Sequence, residues 1–135
     1  MRTTNFKNKR VFYDSRWHAS KHECECYKKF KLLLERKKIT DLKCQFCFVL
    51  YPAVYYNRST GAFLLAPFVP EENKKWKKPK GFVNLQPAYR YYADFVVYYP
   101  DGSVVVYDAK GVKTDEYLRK KKMMLKVRNI EVKEI

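Results

Sequence analysis

Asp94 and the run Asp108-Ala109-Lys110 are residues of the types that can hold a metal ion against a phosphodiester. Two carboxylates on one face of a protein repel each other unless something neutralises them, and a divalent cation commonly does so. Mg²⁺ takes a few carboxylates, several waters and the phosphate oxygens of a substrate. The cation can acidify a water and stabilise the charge growing on phosphorus, and Lys110 can orient that water or stabilise the same charge. These residues therefore predict hydrolysis of a phosphodiester bond.

The elements that must position these residues are two strands joined by a tight turn. Residues 91–99 and 103–108 are rich in Val, Tyr and Phe, which favour strands. Pro100-Asp101-Gly102 lies between them, with proline to fix φ at the first turn position and glycine to supply the left-handed residue. The sequence therefore predicts a hairpin with a three-residue loop, a type I turn closed by a glycine bulge.

The loop length decides whether the two aspartates meet. A three-residue loop sets Tyr99 opposite Ser103, and pairing then puts Asp94 directly opposite Asp108 on one face of the sheet. Lys110 lies two residues beyond Asp108 and points to that same face. A two-residue loop would instead place the aspartates on opposite faces. A salt-bridged pair of strand-end acids beside a solvated lysine is an equally open interpretation of these residues alone, because short motifs also match by chance.

Further short stretches accompany this pair of strands. They are residues 13–14 (YD), 20–23 (SKHE), 27 (Y), 39–42 (ITDL), 45 (Q), 92–95 (YADF) and 108–114 (DAKGVKT). With Asp94 and Asp108-Ala109-Lys110 they resemble the signature of the PD-(D/E)XK nuclease superfamily, which contains type II restriction enzymes and several Holliday-junction resolvases. The chain looks closest to a family of small phage and prophage proteins assigned to that superfamily. The match leaves out roughly the middle third of the chain, and Ala93 replaces the proline that names the motif.

The resemblance implies an α/β fold and a set of site residues. The fold would be a restriction-endonuclease-like core, with a central mixed β-sheet flanked by helices in αβββαβ order and an extra β insertion. The catalytic residues would be Asp94, Asp108, Lys110 and Glu23. The metal ligands would be Asp94, Asp108, Glu23 and Ala109, and the cofactor would be Mg²⁺ or Mn²⁺.

Glu23 has two competing interpretations. The resemblance makes it the acidic residue of the first helix, near the metal. Ser20 and Glu23 also form a capping box, in which the glutamate reaches back to the helix start without any metal. One carboxylate can hardly serve both roles in one conformation, and the sequence leaves the choice open.

A net charge of +15 makes a polyanion the natural partner. Basic residues cluster in a loop run over residues 74–80 and in the last predicted helix. We expect five of them to contact DNA: Lys75, Lys77, Lys113, Arg119 and Lys120. Contacts of this kind with backbone phosphates position a nucleic acid without reading its sequence. Trp76, within the loop run, is expected either to stack on a base or to pack on the protein.

The four cysteines do not predict a zinc site. Cys24 and Cys26 are two residues apart on a helix, so that their side chains diverge by about 200°. Cys44 and Cys47 face opposite sides of a strand. Zinc needs four converging ligands, so that a zinc site is not expected unless Cys44 begins a knuckle turn in place of a strand. Free thiols in a reducing compartment are the expected state.

The remaining pattern predicts one domain over residues 1–135, with residues 1–12 a basic, flexible arm leading into a short strand. A turn is expected at Asp14-Ser15. The elements beyond it are a helix over 20–37, strands over 42–56 and 62–69, a loop over 71–80, the hairpin, a helix over 114–126 and an edge strand over 130–135. No apolar run is long enough to span a membrane, and the N-terminus lacks the apolar region of a secretory signal. A cytoplasmic location is therefore expected, in the host cell if the protein is encoded by a phage.

These observations together predict a Mg²⁺-dependent DNA endonuclease. The resemblance points to phage recombination or replication, with branched DNA or a Holliday junction as substrate. It also makes a homodimer the expected assembly, because one active site cuts one strand. The alternatives are a basic DNA-binding protein without catalysis and a component of a phage particle or replisome.

Overall fold

The structure, a computed structural model, describes residues 9–67, 76–109 and 113–135. These residues form a mixed α/β fold in which strands predominate. In chain order the elements are β1 (Val11–Tyr13), β2 (Arg16–His18), α1 (Lys21–Glu35), β3 (Asp41–Tyr51), β4 (Val54–Asn57), β5 (Phe63–Leu65), β6 (Phe82–Gln86), β7 (Tyr89–Tyr98), β8 (Val104–Asp108), α2 (Asp115–Arg128) and β9 (Val132–Glu134). The predicted α/β class is confirmed.

The described part of the chain divides into two compact units, and the single domain over residues 1–135 stays a prediction. The first comprises Met1–Cys44, Asp94–Val112 and Val132–Ile135, and the second comprises Gln45–Ala93 and Lys113–Glu131. The strands β3 and β7 contribute residues to both units. The sheet that contains them has the order β3-β7-β8-β9, with β8 antiparallel to β7 and parallel to β9.

Helix α1 builds the core of the first unit. Ser20 begins the helix as its N-cap, because its hydroxyl accepts a hydrogen bond of 3.0 Å from the backbone N–H of Glu23. The apolar residues recur every three or four positions and so form one stripe along the helix. That stripe packs on one face of β7. The buried members of the resulting core are Cys26, Tyr27, Phe30, Ile39, Phe95 and Val97.

The strands β1 and β2 form a hairpin that lies against α1. Its two-residue turn consists of Asp14 and Ser15, both at positive φ (55° and 61°), as the twist of a tight hairpin requires. The hydroxyl of Tyr27 on α1 donates a hydrogen bond to the carboxylate of Asp14. The ring of His18, 3% exposed, lies 4.8 Å from the ring of Tyr27. The predicted turn is confirmed, and α1 holds it in place.

The second unit contains a three-stranded sheet of order β5-β4-β6 together with α2. Thr114 begins α2 as the predicted N-cap, since its side chain accepts a hydrogen bond of 3.0 Å from the N–H of Tyr117. Trp76 packs on Tyr55, with ring centroids 5.5 Å apart, which decides between the two roles expected for it in favour of packing. None of the helices within the described ranges is both long and apolar enough to cross a bilayer.

The contact between Tyr27 and Asp14 predicts a pH-dependent stability. Burial, followed by the hydrogen bond to Asp14, raises the pKa of Tyr27 to about 12. The neutral phenol is thus favoured in the folded state, whereas the unfolded chain ionises near the ordinary pKa of about 10. This contribution is fully present below pH 10 and is lost as the pH rises towards 12, with a magnitude on the order of 2 kcal/mol.

Urea unfolding at pH 8 and at pH 11.5 measures this loss. We expect Asp14→Asn to reduce the difference between the two pH values, because it weakens the interaction that favours the neutral phenol. Glu25→Gln, an exposed charge change on the same helix, should leave the difference as it is. Equal differences in all three proteins would contradict the role of this contact.

Candidate metal and nucleic-acid site

The turn between β7 and β8 has the predicted three-residue form. The N–H of Gly102 donates to the carbonyl of Tyr99 over 3.0 Å, and the N–H of Tyr99 donates to the carbonyl of Ser103 over 2.9 Å. Gly102 has φ +91°, a conformation that side chains disfavour. The carboxylate of Asp101 accepts hydrogen bonds from the hydroxyl and the N–H of Ser103, which lower the pKa of Asp101.

The register that follows from this turn brings Asp94 and Asp108 together. Phe95 pairs with Tyr107, so that the next position outward sets Asp94 opposite Asp108. The N–H of Ala109 donates a 2.9 Å hydrogen bond to Oδ2 of Asp94. The carboxylate of Asp94 thus lies against the backbone that carries Asp108. The register of β7 on β8, predicted from the loop length, is confirmed as far as Phe95 and Tyr107, and the role of the two aspartates as one site stays a prediction.

The two carboxylates lie on the face of the sheet that does not carry α1. Phe95 and Tyr107 point toward α1 and pack with its side chains, whereas Asp94 and Asp108 alternate to the other face. Asp108 is fully buried, at 0% exposure, and Asp94 is partly buried. An ionised carboxylate withdrawn from water needs a positive charge or hydrogen-bond donors close by. The pair therefore fits the requirements of a cation site.

Glu134 extends this row of acids by one strand, and the sequence did not reveal it. Strand β9 runs parallel to β8 with Val106 opposite Val132 and Asp108 opposite Glu134, so that Glu134 shares the face of Asp108. The N–H of Ile135 donates to the carbonyl of Asp108 over 3.0 Å and holds this end of the ladder. The edge strand itself was predicted, but no local pattern indicates which residue of β9 meets Asp108.

The ligand set available to a metal can be read from this geometry. Within residues 9–67, 76–109 and 113–135, no three His, Cys, Asp or Glu side chains are grouped closely enough to hold a metal ion. Asp94 and Asp108 offer two carboxylates, and the ligand atom that Ala109 can offer is its backbone carbonyl oxygen. Mg²⁺ is commonly held by one or two carboxylates, with water and phosphate oxygens completing its shell. The donors present fit that ion, whereas zinc prefers nitrogen and sulfur.

Glu23 is buried at the start of α1, with 8% exposure. Its backbone N–H makes the capping hydrogen bond with Ser20, which confirms the position of the cap. Burial raises the pKa of the Cys26 thiol, the Lys29 ammonium lowers it, and the carboxylates of Glu23 and Asp94 raise it further. Both carboxylates therefore act on the same thiol within the first unit. The role of the Glu23 side chain, as cap or as metal ligand, stays a prediction.

The cysteines are free thiols. Cys24 and Cys26 are buried on α1, and Cys44 is partly buried on β3. Burial is the largest influence on the pKa of Cys26 and of Cys44, and it raises both. Thiolates, the form in which cysteine reacts and binds metal, are disfavoured at these two positions.

The basic residues predicted to contact DNA differ in how they are held. Lys77, Lys113 and Arg119 are exposed in the second unit. Lys120 forms an ion pair of 3.1 Å with Glu116, and its ammonium lies 5.1 Å from the ring centroid of Tyr89. Its ammonium therefore already interacts with a carboxylate and an aromatic ring of the protein. Two further predictions, Lys75 and the catalytic lysine Lys110, lie outside the described residues.

Gly102 is expected to control the register of β7 on β8. Gly102→Val should destabilise the protein by roughly 1–3 kcal/mol, because a β-branched residue is strained at positive φ although no atom lies within 4 Å of its Cβ position. Gly102→Asn should cost less, since asparagine tolerates left-handed backbone. Chemical denaturation measures both free energies of unfolding. Equal stability of the two variants would contradict the importance of the turn conformation for the register.

Comparison with known proteins places the chain in a family. A family model described as a protein of unknown function (DUF1064) matches residues 3–135. Among curated proteins and among solved structures, nothing matches the chain. Because the family model spans nearly the entire sequence, the chain belongs to the DUF1064 family.

Proposed function

We propose that this protein is a Mg²⁺-dependent endonuclease that hydrolyses phosphodiester bonds in DNA. The observation that carries the proposal is the hydrogen bond from the N–H of Ala109 to Oδ2 of Asp94, in a register of β7 on β8 that sets Asp94 opposite Asp108 when it is continued one step beyond Phe95 and Tyr107. Two converging carboxylates at the end of a hairpin, one of them fully buried, form a site for a hard divalent cation. Mn²⁺ would fit the same oxygen donors.

The order of the elements supports a restriction-endonuclease-like core. Helix α1 is followed by β3, β7, β8, α2 and β9, and the strands stand in the sheet in the order β3-β7-β8-β9. This is the αβββαβ order that the resemblance to PD-(D/E)XK nucleases implies, with β4, β5 and β6 as the extra β insertion.

Different residues of the chain would bind the cation and assist the attacking water. Asp94 and Asp108 would hold the cation, with the carbonyl of Ala109 as a further ligand. The resemblance adds Glu23, whose carboxylate would have to move closer, because it does not form a group of three acids with the two aspartates in this structure. A divalent cation supplies a nucleophile at neutral pH and compensates the charge that develops on phosphorus. Lys110 would orient the attacking water or stabilise that charge. The water oxygen would bond to phosphorus in line with the leaving oxygen, the P–O bond to that leaving oxygen would break, and the proton lost by the water would end on the leaving oxygen.

DNA is the proposed substrate because the charge of the chain favours a polyanion. The net charge of +15 is larger than basic residues at helix ends and in surface ion pairs would require. Lys75, Lys77, Lys113, Arg119 and Lys120 are the proposed contacts with the phosphate backbone. A homodimer would supply two active sites, as cleavage of both strands of a duplex or of a junction requires. A basic DNA-binding protein without catalysis is the alternative that the cleavage test addresses.

Cleavage of labelled DNA tests the proposal. Purified protein is incubated with a four-way junction, linear duplex and single-stranded DNA in the presence of Mg²⁺, Mn²⁺ or EDTA. We expect cutting in both metals and none in EDTA. Asp94→Asn and Asp108→Asn keep the shape of the side chain and remove its charge, and each should lower the cleavage rate by about 10²-fold or more, as should Lys110→Ala.

Matched controls separate the site from general charge effects. Glu25→Gln removes an exposed carboxylate of α1, and Lys122→Ala removes an exposed ammonium of α2. Both should cleave DNA within about twofold of the unsubstituted protein, because isolated surface charges contribute little. Tight, salt-sensitive DNA binding without cleavage in either metal would overturn the nuclease proposal and favour the non-catalytic binding protein.

A further inference from the structure

The β1–β2 hairpin displays two aromatic rings to solvent. Phe12 and Trp17 are directly opposite each other in the ladder, and 53% and 58% of their surfaces are exposed. The two rings meet edge to face, with centroids 5.1 Å apart. Single exposed apolar residues are common on proteins, but a phenylalanine and a tryptophan side by side leave a large apolar area exposed to solvent. The pair is therefore a candidate contact surface.

The opposite face of the hairpin fixes it to α1. His18 is buried against Tyr27, Asp14 accepts the hydrogen bond from the hydroxyl of Tyr27, and the guanidinium of Arg16 lies 5.0 Å from the Tyr27 ring centroid. An isolated two-stranded hairpin is only marginally stable in water, so that these contacts with α1 hold its two strands in register. Phe12 and Trp17 are consequently presented on an anchored surface.

The charge around the two rings is positive. The guanidinium of Arg10 lies 4.7 Å from the ring centroid of Trp17, and its neighbour in sequence, Lys9, is exposed. Asp14 is the acidic residue within the hairpin, and its carboxylate faces the hydroxyl of Tyr27. Aromatic rings interleaved with cations match a ligand that has flat apolar rings and negative charge.

We propose that Phe12 and Trp17 stack on unpaired bases of DNA while Arg10 contacts the adjacent backbone. Every base has a π face, so that such stacking is tolerant of sequence, and arginine adds a cation–π contribution. Base faces are covered in a duplex, and the surface therefore selects single-stranded stretches such as flaps and junction centres. The inference rests on the proposed function, because it takes DNA as the ligand, and it names unpaired DNA as the substrate class. A lipid surface is a poorer fit, because interfacial binding uses the continuous apolar face of an amphipathic helix and this short hairpin presents two rings.

Fluorescence of Trp17 reports the stacking directly. The chain has two tryptophans, and Trp76→Phe leaves Trp17 as the one that remains while keeping a ring beside Tyr55. This variant is titrated in EDTA with oligothymidylate of about 20 nucleotides and with duplex of equal length. Quenching of Trp17 by oligothymidylate, and little quenching by duplex at saturation, is the expected result. Similar quenching by both ligands, or by neither, would overturn the inference.

Binding of labelled DNA measures the contribution of the ring. Trp17→Leu should weaken oligothymidylate binding by about 5- to 100-fold and leave duplex binding within about twofold. Trp17→Tyr should retain most of the affinity, and it also decides the matter if the leucine variant fails to fold. Phe63→Leu, at a ring 66% exposed on β5, is the matched control and should leave both affinities unchanged.

Several outcomes would contradict the stacking surface. The first is an equal loss of single-stranded and duplex DNA binding in Trp17→Leu, and the second is no loss of either. The third, measured with vesicles that contain phosphatidylglycerol, is that Trp17→Leu weakens vesicle binding alone. Because the titrations are made in EDTA, they do not depend on catalysis. Selective binding of single-stranded DNA without Mg²⁺-dependent cleavage would support the stacking surface and overturn the nuclease proposal. Mg²⁺-dependent cleavage together with unchanged DNA binding in Trp17→Leu would support the nuclease proposal and overturn the stacking surface.

Discussion

The pairing of β7 with β8 is the constraint on which the candidate site depends. Side chains alternate along a strand, so that a shift of one residue would send Asp94 and Asp108 to opposite faces. The register is held at one end by the Gly102 turn and at the other by the hydrogen bond from Ala109 to Asp94. Between these ends, buried side chains such as Phe95 and Val97 pack on α1 and would be exposed by any slip. Turn chemistry, hydrophobic burial and site geometry all require the same alignment.

The same register of the strands also buries Asp108. The carboxylate lies beyond Val106 on a face whose other members, Val96 and Val132, are also buried. A charge in such surroundings lowers the stability of the protein unless it is compensated. Glu134, on the same face, adds to the negative potential at this end of the sheet.

Local patterns in the sequence were sufficient for the elements and for one pair of site residues. Pro100-Asp101-Gly102 identified its loop, Ser20 and Thr114 identified the starts of two helices, and the loop length gave the register of β8 on β7. Relations between distant segments were not accessible in this way. The parallel register of β9 on β8, which brings Glu134 beside Asp108, depends on strands joined through α2 and has no local signal. The exposed pair Phe12 and Trp17 was missed for a similar reason, because exposure is decided by which face of the hairpin α1 covers.

The most direct test of the account is to locate a bound metal. Crystals of the protein grown with Mn²⁺, and diffraction data collected at the manganese absorption edge, would give the position of the ion independently of any cleavage assay. We expect an anomalous peak within about 2.3 Å of a carboxylate oxygen of Asp94 and of Asp108, the distance range of hard-cation coordination by oxygen. A peak at another group of residues, or none at a Mn²⁺ concentration that supports cleavage, would contradict the assignment of these two aspartates as the metal site.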